Sequence, residues 1–396
     1  MAVAQWRFVL TDTNFIPVGE VLNASERSVT LGLNRIDAAS FKIRLDNPLA
    51  DPLRFLNGYL KAYRNGTLMF YGPLVTAEET VDDSGAYVTV NAAGVGWILT
   101  KRFAGKLQDV AYQTWTTTDR AVIIAEYISD ILDREWRPFL APLDPTDVRD
   151  FRLYGDTYID VATLPVSAAS SITYTVPPFK PFMDLLNELS AGLGGFEWRI
   201  KPRENWIAGA LAGVKIGNFT AAPIIGSDKP GAVFEMGVGR ANISSYTRSL
   251  SRDGQANRIY HLINNSPIEP DPANPKPPVT QESVTVDTLA DWGIMEDIAQ
   301  ADLYDRTMRQ QLVDEHGRVR QLPRSTIVFA PTADYGDGRM PEYGVEYDIG
   351  DTVRARARYG GIDRFNASFR VWGIQFVVNE FGVETPNLTL SEEGAA

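Results

Sequence analysis

The 396-residue sequence has no cysteine and only two histidines. The first absence excludes disulfides, thiolate metal sites and a cysteine nucleophile. The second leaves His261 and His316 as the only starting points for a serine triad or a histidine-held metal. Neither has a companion histidine at metal-ligand spacing, and the chain carries no Gly-x-Ser-x-Gly motif. His316 follows Asp314 and Glu315 just before Gly317, where a cation suits the end of a helix, and His261 sits in a strand-like run beside Tyr260, Leu262 and Ile263. Both are expected to be structural.

Positive charge is also short. Lys and Arg number 38 against 50 Asp and Glu, a formal charge of −12. Such a surface repels nucleic acid and gains nothing from counterion release, so specific DNA or RNA binding is not expected. No apolar run approaches the 18 or so residues of a helical membrane span, and Arg7 and Asp12 interrupt any signal peptide. Ala93-Gly94-Val95-Gly96-Trp97 lacks the third glycine and the lysine of a phosphate loop, and predicts a strand end turning a corner. Asp144, Asp147, Asp150 and Asp156 fail the alternate spacing of a calcium loop, and their Pro-rich surroundings predict a solvated loop. The expectation is no cofactor, no metal and no enzymatic activity. A pair of carboxylates could still do hydrolytic chemistry, because acids are abundant and one sequence cannot select a pair.

What the chain does have is strand grammar, used twice. Tyr347 to Val353 leads into Arg354, Arg356 and Arg358 alternating with Ala355, Ala357 and Tyr359, the two-residue period of a strand. Gly360-Gly361 breaks the run, Ser368 to Val378 returns, and Asn387 to Leu390 follows a link at Glu380-Phe381-Gly382. Near the other end, Gly58 to Arg64 meets Asn65-Gly66, a strong hairpin signal, and returns through Thr67 to Gly72 and then Tyr87 to Val90. Matching the two aligns Gly58 with Gly350, Leu60 with Val353, Ala62 with Ala355, and Tyr71-Gly72 with Trp372-Gly373. One barrel-like module used twice is the economical reading, although strand and turn rules are generic enough for unrelated meanders to look alike.

The predicted fold class is β-rich α+β: two tube-like antiparallel β-barrel modules with an α+β middle domain. The first module spans residues 1–105, the middle domain 106–240, and the second module 241–396; part of 200–240 is allowed to return to the first barrel. In the middle, Asp119 is placed as N-cap of a helix through Trp136 with Val122, Ala125, Ile128 and Leu132 on its apolar face. A second helix opens at Pro181 with Phe182, Leu185, Leu186 and Leu189 inward and ends by Gly192. Phe196–Ile200 is expected to pair with Trp206–Leu211 across Pro202–Asn205, and Ala241–Ser251 with Asn257–Ile263 across Asp253-Gly254. Six prolines between Pro267 and Pro278 predict a stiff connector. A long helix is predicted over 289–313, its apolar line being Ile294, Ile298, Ala301, Tyr304, Met308 and Leu312.

Arg354, Arg356 and Arg358 share one strand face. They are either a solvated face that protects an edge from aggregation or a subunit interface that meets a neighbour's acidic groups.

Taken in order, the Gly58–Gly72 meander with Gly94–Arg102, the Phe182–Arg199 helix-Gly-Gly-Glu-Trp-Arg segment, and the Gly350-Asp351-Thr352-Val353 meander with Arg370-Val371 and Gly382-Val383-Glu384 resemble the tail-tip hub proteins of siphovirus-type bacteriophages. These are also known as minor tail or tail-associated proteins, and are similar in plan to the baseplate hub of contractile-tailed phages. The resemblance implies a structural protein of the virion tail tip: a homotrimer whose six barrels form a pseudo-sixfold ring that continues or closes the tail tube. Implied neighbours are a distal tail protein ring, the tape measure protein, and other tip or receptor-binding proteins, with genome DNA passing through the lumen without specific binding. Some members continue into a hydrolase or receptor-binding extension. This sequence stops at Ala396, so those activities are not expected. A tail-associated cell-wall hydrolase, a host-surface adhesin and the hub of a contractile injection apparatus remain the alternatives.

Overall fold

The computed structural model describes residues 4–13, 15–50, 56, 58–83, 85–104, 113–133, 159–161, 171–176, 179–190, 195–207, 214–237, 241–251, 255–262, 282–284, 294–300, 313–314, 324–331 and 340–392. The first part of the chain forms β1 (Trp6–Thr11), β2 (Pro17–Glu20), β3 (Ser25–Gly32), β4 (Ala38–Arg44), β5 (Tyr59–Arg64), β6 (Thr67–Asp82) and β7 (Gly85–Ala93). Asn65 and Gly66 both take positive φ, 51° and 80°, as a two-residue type I′ hairpin requires between β5 and β6. A 3₁₀ turn at Val95–Lys101 then leads the chain into the middle domain.

There the strands are β8 (Phe103–Ala104), β9 (Gln113–Asp119), β10 (Ile159–Val161), β11 (Ser171–Val176), β12 (Lys180–Pro181), β13 (Glu197–Ile207) and β14 (Val214–Ala222), with helices at Arg120–Asp133 and Phe182–Ser190. The Asp119 carboxylate caps the first helix by accepting from the Ala121 amide at 2.8 Å. This helix buries Ala121, Ile123, Ile124, Tyr127 and Ile128. Of the expected face, Ile128 is inside, whereas Val122 and Ala125 are only half-buried. The helix packs on both a strand and the second helix, which selects a broader face than a single stripe. The second helix buries Phe182, Leu185, Leu186 and Leu189, as the sequence predicts.

The expected hairpin inside 196–211 is corrected. β13 runs through Pro202 as one bulged strand, and its antiparallel partner is β14. Its ladder continues from Pro202 opposite Gly217 to Trp206 opposite Lys215, so the Pro202–Asn205 stretch is an irregularity within the strand.

The last third forms β15 (Asp228–Met236), β16 (Ile243–Ser251), β17 (Arg258–Leu262), β18 (Glu282–Val284), β19 (Glu296–Gln300), β20 (Arg324–Pro331), β21 (Thr352–Tyr359), β22 (Ile362–Val378) and β23 (Glu384–Glu392). Three expectations change here. β16 pairs with β20 and not with β17, which belongs to a separate sheet with β18 and β19. β15 joins the second module by pairing in parallel with β21. Within the predicted helix at 289–313, residues Glu296–Gln300 are a strand parallel to β17. The spacing of four between Ile294 and Ile298 is even, so it fits period 2 as well as period 3.6. Tyr260 donates to Glu296 at 2.9 Å across the new ladder. The predicted solvated loop with Asp144, Asp147, Asp150 and Asp156, the proline-rich connector and His316 lie outside the described residues.

The two modules share a plan. The first has the order β3-β4-β7-β6-β5-β1 and the second β16-β20-β23-β22-β21-β15. β6 and β22 are the long strands, 16 and 17 residues, each pairing first with the strand before it and then, past a bulge, with the strand after it. Ladder partners fix the equivalences: Leu60 lies opposite Gly72 as Val353 lies opposite Phe369, and Phe41 lies opposite Val90 as Phe329 lies opposite Leu388. Leu60 therefore matches Val353 and Ala62 matches Ala355, as the sequence pattern has it.

The aromatic-glycine match is corrected. Thr76 opposite Asn91 corresponds to Gly373 opposite Thr389, so Val75-Thr76, not Tyr71-Gly72, is equivalent to Trp372-Gly373. Gly58 corresponds to Asp351, one residue beyond Gly350, because the carbonyls of Gly58 and Asp351 accept from the equivalent amides of Leu74 and Val371. The sixth strands also differ, β1 antiparallel to β5 and β15 parallel to β21.

The modules are not two separate barrels side by side. β3 adds antiparallel to β22, fusing both into one 13-stranded sheet over one shared apolar core. A second core gathers the buried residues of the middle part of the chain together with Phe15 and Tyr71 from the first module and Ala256, Ile259 and Val313 from the last third.

Candidate functional site: the joint and the open edges

β21 pairs with β22 only as far as Arg370. Beyond the bulge one edge of β22 is vacated, and β3 fills it from Arg27 to Gly32. Ile374, Phe376 and Val378 on β22 and Val29 and Leu31 on β3 are fully buried by this addition. Burying each large side chain contributes about 1.5–3 kcal/mol. The Phe376 ring packs against Trp6 at 5.3 Å and under the Arg64 guanidinium at 5.4 Å. Arg64 in turn forks onto both Glu384 oxygens, and Oε2 also accepts from the Trp6 indole.

Charged side chains pin the middle domain to this sheet. On β13, Arg199 donates to Asp348 at 2.8 Å and to the Tyr343 hydroxyl at 3.0 Å, and Lys201 donates to the other Asp348 oxygen at 2.7 Å. Burial works to raise the Asp348 pKa, but Arg199 and Lys201 outweigh it and hold the carboxyl well below its usual range. Burial likewise opposes the Arg199 charge, and its acidic surroundings, with Tyr343 and Asp348 foremost, outweigh it and raise the pKa. Asp37 has no such salt-bridge partner among the described residues. Its burial pushes the carboxyl up to about 6 against the pull of Arg199 and of the Gly32 amide, which donates at 3.0 Å. Glu197 takes the short Arg370 bond and the Ile225 amide, and its pKa is raised because burial exceeds both.

β21 carries the predicted arginines on the face away from the core, with Val353, Ala355 and Ala357 buried on the other. Tyr359, expected with the inner set, is exposed because the strand ends there. Arg356 pairs with Glu235 of its own chain at 2.7 Å, Arg358 reaches Asp363 at 3.5 Å, and Arg354 reaches Asn366 at 3.5 Å. His261 lies in β17. Among the described residues no cluster of acids and histidines could hold a metal ion, and no helix is long and apolar enough to cross a membrane. A pocket between Asp37, Phe70, Tyr71 and Val95 encloses about 10 Å³, room for roughly one water.

Two strand edges stand open among the described residues. Past Leu74, β6 has an edge vacated by β5, and among the described residues no strand pairs with it. Among the described residues β16 pairs only with β20. Sequence reasoning found neither edge, because it placed no strand at Ser25–Gly32, where β3 shows how such an edge is filled.

The fold of these paired modules is similar to that of tail proteins of known structure. No family model matches the sequence, and no curated protein is a detectable relative of it. Among solved structures, the chain is similar to the tail protein from Neisseria meningitidis MC58, with a TM-score of 0.55 and 10% identity over 99% of this chain and 98% of that one. The 43 kDa tail protein of prophage MuSo2 from Shewanella oneidensis gives 0.56 at 9% identity, covering 97% and 98%. The prophage tail protein gp18 from Listeria monocytogenes EGD-e gives 0.51 at 12%, covering 98% and 95%.

Proposed function

We propose that this protein is a structural hub subunit of a phage tail tip, three copies of which close a ring of six modules around a DNA conduit. The observation that carries the reading is the β22–β3 joint: two modules of one plan are already joined head to tail within one chain. A head-to-tail contact repeats until it closes or becomes a filament, and closure consumes the strand edges at which copies meet. End-to-end likeness to three tail proteins, two of them from prophages, supports the same class. In this reading the ring sits in the virion at the tail tip, between a distal tail protein ring and the tip or receptor-binding proteins, with the tape measure protein in or above its lumen. The outer face of β21, with Arg354, Arg356 and Arg358, is a further contact face for acidic neighbours. A net charge of −12 suits a passage that does not hold the polymer moving through it.

The role is non-enzymatic. Mass measurement in solution is expected to give about three times the 43.8 kDa chain. A strict monomer at high micromolar concentration, or clearing in a peptidoglycan zymogram, would overturn the reading.

A further inference from the structure

The intrachain joint also dictates how copies meet. Its register is Ile374 opposite Leu31, Phe376 opposite Val29 and Val378 opposite Arg27. Ladder partners carry each of these positions to the other module. Val29 opposite Ala39 corresponds to Arg248 opposite Ile327, so Arg27, Val29 and Leu31 correspond to Tyr246, Arg248 and Leu250. Along the long strands, Ile374, Phe376 and Val378 correspond to Ala77, Glu79 and Val81.

We propose that β16 of one copy adds antiparallel to the vacated edge of β6 in the next copy, in this transplanted register: Ala77 opposite Leu250, Glu79 opposite Arg248, and Val81 opposite Tyr246. The inference rests on the ring reading above and names the surfaces that would close it.

Three independent features agree with the register. Val81 and Leu250 are 71% and 66% exposed in the single chain although their faces continue the core, since Val81 lies along the row of buried Val88 and Val90 and Leu250 along that of Tyr246. The register sets both beside apolar partners. The central pair, apolar in the intrachain joint, becomes an acid and a base, which pair favourably across strands. The lengths agree as well, because β16 has nine residues and the β6 segment past Leu74 runs to Asp82. A shift of one residue would turn Val81 and Leu250 away from each other's side of the sheet.

The absence of native cysteine permits a clean test. Thr80 and Thr247 fall opposite one another on the outer face in this register. The T80C/T247C protein, oxidised at micromolar concentration, is expected to run mainly as a reductant-sensitive covalent trimer, with either single variant running as a monomer or dimer. A native trimer by mass that gives no covalent trimer would overturn the edge assignment while leaving the ring standing. A monomer by mass at all concentrations would overturn both. Hydrogen exchange on the unmodified protein is the second measurement: amides of 75–81 and 246–251 are expected to slow at least tenfold from dilute to concentrated protein, and unchanged exchange in a proven trimer would likewise reject the assignment.

Discussion

Arg64, at the hairpin end of β5, and Glu384, at the start of β23, are 320 residues apart and form a two-pronged ion pair at 2.6 and 2.9 Å. Both side chains are only 10% exposed. Glu384→Gln keeps the volume but leaves a largely buried guanidinium without its counter-charge, a loss on the order of 3 kcal/mol. The two modules share one core, so urea should still unfold them in one transition at a lower midpoint. The exposed pair Arg7 and Glu20 is the control, and Glu20→Gln should leave the midpoint unchanged.

Asp37 and Asp348 should respond to pH with opposite signs. A folded pKa of about 6 for Asp37, above its ordinary 3.8, means the folded state binds the extra proton between those values. Stability from this group is full below the ordinary value and falls until about pH 6. Asp348, held low, contributes above its ordinary value and is lost as pH falls through and below that range. Asp37→Asn, retaining the acceptor for the Gly32 amide, should therefore stabilise the protein at pH 7 by roughly 1–3 kcal/mol and at pH 4 by far less. Thermal melts at the two pH values check this; an equal shift at both would contradict it.

Gly350 has φ +91°, and a β-carbon there would stand 2.3 Å from the Ile225 carbonyl oxygen. Gly350→Ala combines a left-handed backbone with a clash against main chain, and should cost more than about 2 kcal/mol. Gly360 also has positive φ, +61°, but faces open space. Gly360→Ala should cost only about 1 kcal/mol, and chemical denaturation of the two variants separates backbone strain from close approach.

The arginine row divides by partner. Arg356→Ser removes the counter-charge of Glu235, which is mostly buried, and should lower the melting temperature of the single chain. Arg354→Ser with Arg358→Ser should leave that temperature unchanged and weaken assembly. Sedimentation at a series of concentrations reads the second effect, and an unaltered trimer would remove these two side chains from the interface.

Much of the fold is legible in local pattern. The Asn65-Gly66 turn, the Phe182 helix face and the alternation of β21 as far as Ala357 each depend on neighbours in sequence, and each stands as predicted. What failed depends on distant partners. β3 has only Val29 and Leu31 as strongly apolar positions in Ser25–Gly32, too thin an alternation to mark a strand, and its burial comes from β22 more than 340 residues on. β15 begins Asp-Lys-Pro-Gly, which argues locally against a strand, and the ladder resumes only at Val233 after a bulge. The aromatic-glycine alignment erred because letters were matched without the bulges that set which residue faces which.

β22 touches three partners along its 17 residues: β21 first, then β23 and β3 on opposite flanks. A slip by a single position would turn Ile374, Phe376 and Val378 to the wrong side against all of them together. The strand works as a common ruler, and no neighbour can be misaligned without the others being misaligned too.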